Sequence, residues 1–176
     1  MTKVFLALAL AAFAPVMRAD LIFTATLLPG NEVPPNNTVA KGFIVVDLHT
    51  DLITLDVTET FSGLTVNASA AHIHCCGPVG VNEPVVLPFT GFPTTTSGNY
   101  AHTFNLNTDL SGITAATLVA ALQNGSAYAN IHNATFPGGE IRGQLALAPE
   151  PTALFLVGGG LLTVFLGRKR LARATV

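Results

Sequence analysis

The run KGFIVVDLHTDLITLDVTETF, residues 41–61, decides the fold. Residues 41–48 are rich in apolar and β-branched side chains, and His49-Thr50-Asp51 then interrupts them with a polar break. From Leu52 onward the pattern alternates, with Thr54, Asp56 and Thr58 on one face. A period of two is that of a half-buried strand. Two such runs about a short polar break predict an antiparallel hairpin over 41–48 and 52–61.

The same signature recurs on both sides of the hairpin. Residues 21–28 run into Pro29-Gly30-Asn31, and further short runs occupy 66–74, 85–89, 100–106, 127–132 and 140–147. Runs of this length, separated by Gly, Pro and Asn, predict an all-β fold: an antiparallel β-sandwich, Ig-like or superoxide-dismutase-like. One stretch departs from the pattern. The alanines of residues 113–124, the Leu118/Leu122 spacing, a cap at Ser111 or Thr114 and a terminating Gly125 predict one short helix closing an end of the sandwich.

Both ends of the chain differ from this middle. Residues 1–19, MTKVFLALALAAFAPVMRA, place Lys3 before an apolar run and a small residue, Ala19, before Asp20. That layout predicts a secretory signal peptide cut after Ala19. A cut after Ala14 fits the small-residue rule better but sets Pro15 after the scissile bond. At the other end, Pro149-Glu150-Pro151 precedes an uncharged apolar stretch, residues 152–167, and then Arg168-Lys169-Arg170. The stretch predicts a transmembrane helix, a little short of the roughly 20 residues of a full span, with the basic cluster on the cytoplasmic side. In this order the three elements, over residues 149–176, resemble the PEP-CTERM sorting signal of exported bacterial proteins. The resemblance implies an exosortase-type processing enzyme in the inner membrane of a Gram-negative cell. An ordinary membrane anchor is the alternative.

Charge divides the chain in the same way. Between Asp20 and Glu150 only Lys41 and Arg142 are basic, against ten acidic residues, a formal charge of −8. A field of that sign repels phosphate backbones and argues against nucleic acid as a partner.

The motifs of residues 20–148 also fall into a recognisable order. Phe23-x-Ala25-x-Leu27 leads into Gly30-Asn31-Glu32-Val33-Pro34-Pro35. Ala71-His72-Ile73-His74, the short helix, Tyr128-Ala129-Asn130-Ile131-His132 and Gly138-Gly139-Glu140-Ile141-Arg142-Gly143-Gln144-Leu145 follow. Together they resemble the CHRD (chordin-type) domain. The resemblance implies an extracellular β-sandwich-like module, and supplies no reaction for bacterial members. Many members continue after the His-x-His with glycine and small residues, whereas here Cys75 and Cys76 intervene.

Residues two apart on a strand share a face, so His72 and His74 project side by side. Tyr128, Asn130 and His132 share a face of a later strand, as do Glu140, Arg142 and Gln144. If these strands are neighbours, three imidazoles converge beside a carboxylate, a first shell suited to copper or zinc. The pattern is similar in part to copper-zinc superoxide dismutase, but the bridging histidine, further ligands and long loops are not evident, and His102 is no more than a speculative substitute for them. The competing expectation is a structural polar cluster of Asn130, Glu140 and Arg142 around the histidines, with Arg142 paired to Glu140 or an Asp.

Cys75 and Cys76 are the only cysteines. Export to an oxidising compartment favours their oxidation. A strained vicinal disulfide, two intermolecular bridges and thiolate ligation beside the histidines all remain open, the first being favoured. The chain has no Cys-x-x-Cys, nucleophile elbow, P-loop or dinucleotide fingerprint. The functional expectation is a non-enzymatic, exported module sorted to the cell envelope or extracellular matrix, with a role in adhesion, matrix structure or binding. It would meet signal peptidase, the exosortase-type enzyme, the membrane and exopolysaccharide or envelope components. The rival is a copper- or zinc-binding domain, with a metalloenzyme as its strongest form.

Overall fold

The computed structural model describes residues 19–149. The expected signal peptide and the sorting segment with its span lie outside the described residues, apart from Ala19 and Pro149 at their edges. Among the described residues no helix is long and apolar enough to cross a membrane.

Among the described residues nine strands form two antiparallel sheets. The first contains β1 (Leu21–Leu27), β2 (Lys41–Leu48), β3 (Thr54–Ser62), β6 (Gly98–Asn105) and β9 (Ala146–Leu147), in the order β6-β3-β2-β1-β9. The second contains β4 (Ala68–Cys75), β5 (Val85–Pro88), β7 (Ala127–Asn133) and β8 (Ile141–Gln144), in the order β5-β4-β7-β8. Inward-facing alternate residues, among them Phe23, Leu27, Ile44, Leu55, Ile73, Ile131 and Ile141, fill the space between the sheets. This is the antiparallel sandwich that the alternation of residues 52–58 implies.

The hairpin of residues 41–61 forms with Val45 opposite Thr58 and Leu48 opposite Leu55. Its second strand starts at Thr54 and not at Leu52, for a local reason. Leu52 turns left-handed at φ 59°, and Asp51 Oδ1 accepts from the Ile53 and Thr54 amides at 2.8 Å each. The side chain thus satisfies two donors the ladder would otherwise pair. Those bonds hold the Asp51 carboxyl down at about 2.

Helix α1 (Ala115–Asn124) is capped by Thr114, whose hydroxyl accepts from the Thr117 amide at 3.2 Å, and stops at left-handed Gly125, φ 74°. It buries Leu118, Val119, Ala121 and Leu122 against the sandwich.

Residues 140–147, expected as one strand, are two. β8 lies in the second sheet and β9 in the first, with buried Leu145 between them. The crossing depends on close backbone approach: a Cβ at Gly143 would stand 2.7 Å from the Thr26 carbonyl oxygen. At the same edge Leu28 and Arg142 exchange backbone hydrogen bonds of 3.0 and 3.2 Å, which join β1 of one sheet to β8 of the other.

One core position defies the usual partition of charge. Glu59 of β3 lies between Ile44 and Tyr100 in the register and is 1% exposed, and neither carboxyl oxygen has a hydrogen-bond partner. Burial pushes its pKa from 4.5 to about 8, because a low dielectric disfavours the charged form. Between these values the native state keeps a proton that the unfolded chain has lost. Stability therefore falls as pH rises from about 4.5 to 8. Glu59→Gln should remove that component, so the mutant gains on the wild type by on the order of 1–3 kcal/mol between pH 5 and 8 in urea melts. A pH-independent difference between the two proteins would refute it.

Candidate metal centre

Alternation along β4 sends Ala71, Ile73 and Cys75 into the core and His72 and His74 onto the outer face of the second sheet. The β4–β7 register sets His72 opposite Asn130, His74 opposite Tyr128 and Ala70 opposite His132. The β7–β8 register then adds Arg142 beside Asn130 and Gln144 beside Tyr128. One nitrogen from each of His72, His74 and His132 lies within 4.8 Å of the others. The rings of His72 and His132 are 4.9 Å apart between centroids, and those of His72 and His74 5.6 Å.

Two loops cover this face, which an isolated sheet would leave to solvent. Residues 78–84, between β4 and β5, supply the Glu83 carbonyl to His74 Nδ1 at 2.7 Å and the Glu83 amide to the Tyr128 hydroxyl at 3.0 Å. His132 Nδ1 meets the Pro137 carbonyl at 2.9 Å. Both carbonyls only accept, so each Nδ1 carries the ring proton and each Nε2 offers a lone pair. His72 Nδ1 is buried with no partner at all. Burial, together with the neighbouring His132 and His74, pushes the His72 pKa down to about 4. Burial also lowers those of His74 and His132. Uncharged imidazoles are the form that ligates transition metals.

The expected polar cluster is arranged differently. Asn130 Oδ1 lies 3.0 Å from His74 Nε2 and 2.8 Å from His132 Nε2. Glu140 does not face the histidines: the turn at Gly139, φ 125°, breaks the alternation and sends its carboxyl inward. There it accepts from the Thr65 amide at 3.0 Å, the Thr65 hydroxyl at 2.6 Å and the Asn133 side chain. Arg142 is therefore not paired with Glu140, and among the described residues no carboxylate lies within ion-pair distance of it. Its guanidinium donates to Asn82 Oδ1 at 2.9 Å and to the Val81 carbonyl at 2.6 Å. It also lies 3.3 Å over the Tyr128 ring. The opposite neighbour of Tyr128 is the His74 ring, stacked at 4.8 Å and 2°.

The carboxyl nearest this network is one the spacing of residues did not single out, Glu32. It is 4% exposed and its Oε1 has no partner. Burial raises its pKa to about 7, against the opposing pull of Arg142, the Val33 amide and Asn130. The signal for it lay only in the Gly30–Pro35 motif, because a loop residue has no periodicity to read. His102 stands on β6 in the other sheet, stacked on Tyr100 and tilted against Phe104, and takes no part.

Cys75 and Cys76 are joined to each other by a disulfide, across a cis peptide bond, so neither is a thiolate ligand here. The pair stands where β4 leaves the sheet for the covering loop 78–84.

Arg142→Lys tests the cover. A lysine keeps the charge but cannot reach Asn82 and Val81 together or stack flat on Tyr128. The expected loss is about 1–3 kcal/mol in urea unfolding with an unchanged m-value; a change below about 0.5 kcal/mol would show that the fork is dispensable.

No curated protein and no solved structure matches the chain. The family model of the CHRD domain matches residues 23–145. With its sandwich, its His-x-His strand and its closing Gly-Gly-Glu-x-Arg turn all inside that match, the chain belongs to the CHRD domain family.

Proposed function

We propose that this chain is an exported, non-enzymatic binding module of the cell exterior that holds a copper or zinc ion through His72, His74 and His132. The observation that carries the reading is the convergence of three uncharged imidazoles on rigid strands, two of them oriented by Nδ1–H bonds to backbone carbonyls. That outer hydrogen bonding is characteristic of ligating histidines. The absence of a nucleophile motif from the sequence supports a binding role over a catalytic one.

Export rests on the signal-peptide layout of residues 1–19 and on a disulfide that suits an oxidising compartment. Sorting to the envelope or matrix rests on Pro149-Glu150-Pro151, the apolar stretch and Arg168-Lys169-Arg170, read as a PEP-CTERM signal handled by an exosortase-type enzyme. A polysaccharide partner has a suitable surface away from the histidines. On the outer face of the first sheet a groove of about 440 Å3 is lined by Phe43 with Thr26, Thr60, Asn99, Ser62 and Lys41, an aromatic ring among hydroxyls and an amide.

Zinc or copper added to the chelator-treated full-length chain should raise its Tm. At a free concentration about 100 times Kd, linkage adds about 2.7 kcal/mol, or roughly 5–10 °C. His72→Ala combined with His132→Ala abolishes the rise, and an unshifted wild-type Tm with both metals would sink the metal reading.

The sorting proposal has a separate check. The mass of the cell-associated product should correspond to cleavage near Pro151; an uncleaved tail would establish the simple anchor instead.

A further inference from the structure

Asn130 carries the metal reading a step further, and the inference rests on that reading. The residue is 2% exposed and sits between His72 and Arg142 in the sheet register. Its Oδ1 stands 3.0 and 2.8 Å from the Nε2 atoms of His74 and His132. Since both rings hold their proton on Nδ1, three acceptors meet at one place: two ring lone pairs and an amide oxygen. Turning the amide over moves the conflict, because its oxygen would then face the Gly138 carbonyl, now 3.4 Å from Nδ2. A cation among the three acceptors turns repulsion into coordination. The two oxygen–nitrogen separations are a few tenths of an ångström below the roughly 3.3 Å edge of a tetrahedron of nitrogen and oxygen ligands around zinc, and the three imidazole nitrogens, within 4.8 Å of one another, would have to draw in around an ion.

Glu32 stands on the other side of the amide. A Cβ added at Gly139 would collide with Glu32 Oε1 and lie 2.7 Å from Asn130 Nδ2, so both groups converge on the space that glycine leaves vacant. A cavity of about 190 Å3, lined by Glu32, Val33, Pro34, Phe136, Pro137 and Gly139, lies on the Glu32 side of this group.

We propose that Asn130 Oδ1 is the fourth ligand of the centre, closing an N3O set with His72, His74 and His132, and that Glu32 is a positioning residue holding the amide nitrogen so that the oxygen faces the metal. Four protein ligands leave no position for a reactive water, as in structural zinc sites. The centre then stores or stabilises and does not hydrolyse.

Cobalt(II) in the chelator-treated full-length chain is the probe, because its visible spectrum reports coordination number. The wild type should show the intense absorption of four-coordinate Co2+, unaltered by azide. Asn130→Ala should admit solvent, making the spectrum azide-responsive and weakening binding. Glu32→Gln should weaken cobalt binding by about 10-fold, the scale of outer hydrogen-bond partners of metal ligands, while Glu32→Asp restores part of it. Cobalt-loaded wild type that responds to azide, or an Asn130→Ala protein with unchanged spectrum and affinity, overturns the fourth ligand and leaves the three-histidine centre standing. The azide result on the wild type decides even if Asn130→Ala does not fold. A wild type that takes up neither cobalt nor zinc overturns both.

Discussion

A guanidinium buried to 3% exposure must find partners for its donors or destabilise the fold, and the arrangement of this molecule follows from how Arg142 finds them. Its backbone pairs with Leu28, which ties the end of β1 to β8 and sews one sheet to the other. Its fork reaches across the outer face to Asn82 and Val81 and so pulls loop 78–84 down onto the sheet. Only then does the Glu83 carbonyl stand over His74, fixing which nitrogen of that ring carries the proton. The same loop is held from its other side by Asn82 Nδ2, which donates to the Val33 carbonyl at 2.8 Å. One buried cation thus links sheet closure, loop cover and imidazole orientation.

The Tyr128 ring makes the arrangement rigid. It stands between a guanidinium at 3.3 Å and an imidazole at 4.8 Å, and its hydroxyl accepts from the Glu83 amide. Aromatic contact on both faces, with the polar tip satisfied, leaves the ring few alternatives. His74 is therefore fixed by packing as well as by hydrogen bonding, the pre-organisation that a ligand would need.

Much of this was legible in the residues, and the failures have physical causes. Strands with period-two alternation were legible, as was the helix with its Thr114 cap and Gly125 stop, because local chemistry dictates them. Two boundaries moved where the backbone departs from extended geometry, at Leu52 and at Leu145 between β8 and β9. The shared face of His72 and His74 follows from strand geometry; the approach of His132 needed the β4–β7 pairing, which the residues left as a condition and the fold supplies. Glu140 was assigned to the wrong side because parity counting assumes an unbroken strand, and Gly139 breaks it. Glu32 and Glu59 were missed for opposite reasons. Glu32 comes from a loop with no periodicity, whereas Glu59 obeys the strand period and goes inward with Leu55 and Val57, against the expectation that a carboxylate stays wet.

The two buried carboxyls also differ in what they can do. Glu59 sits among Ile44 and Tyr100 with no donor in reach, so burial alone governs it and its charged form is excluded from the native core near neutrality. Burial raises Glu32 as well, to about 7, but there Arg142, the Val33 amide and Asn130 pull the other way. Glu32 therefore exchanges its proton near neutrality, whereas Glu59 keeps its own up to about 8. From Asp20 to Glu150 ten acids face two bases, and the anionic form of Glu32, near the Arg142 guanidinium and the imidazole cluster, adds negative potential where a cation would bind. The rest of the acidic surface adds a long-range attraction of the same sign. Both features would favour capture of a metal cation.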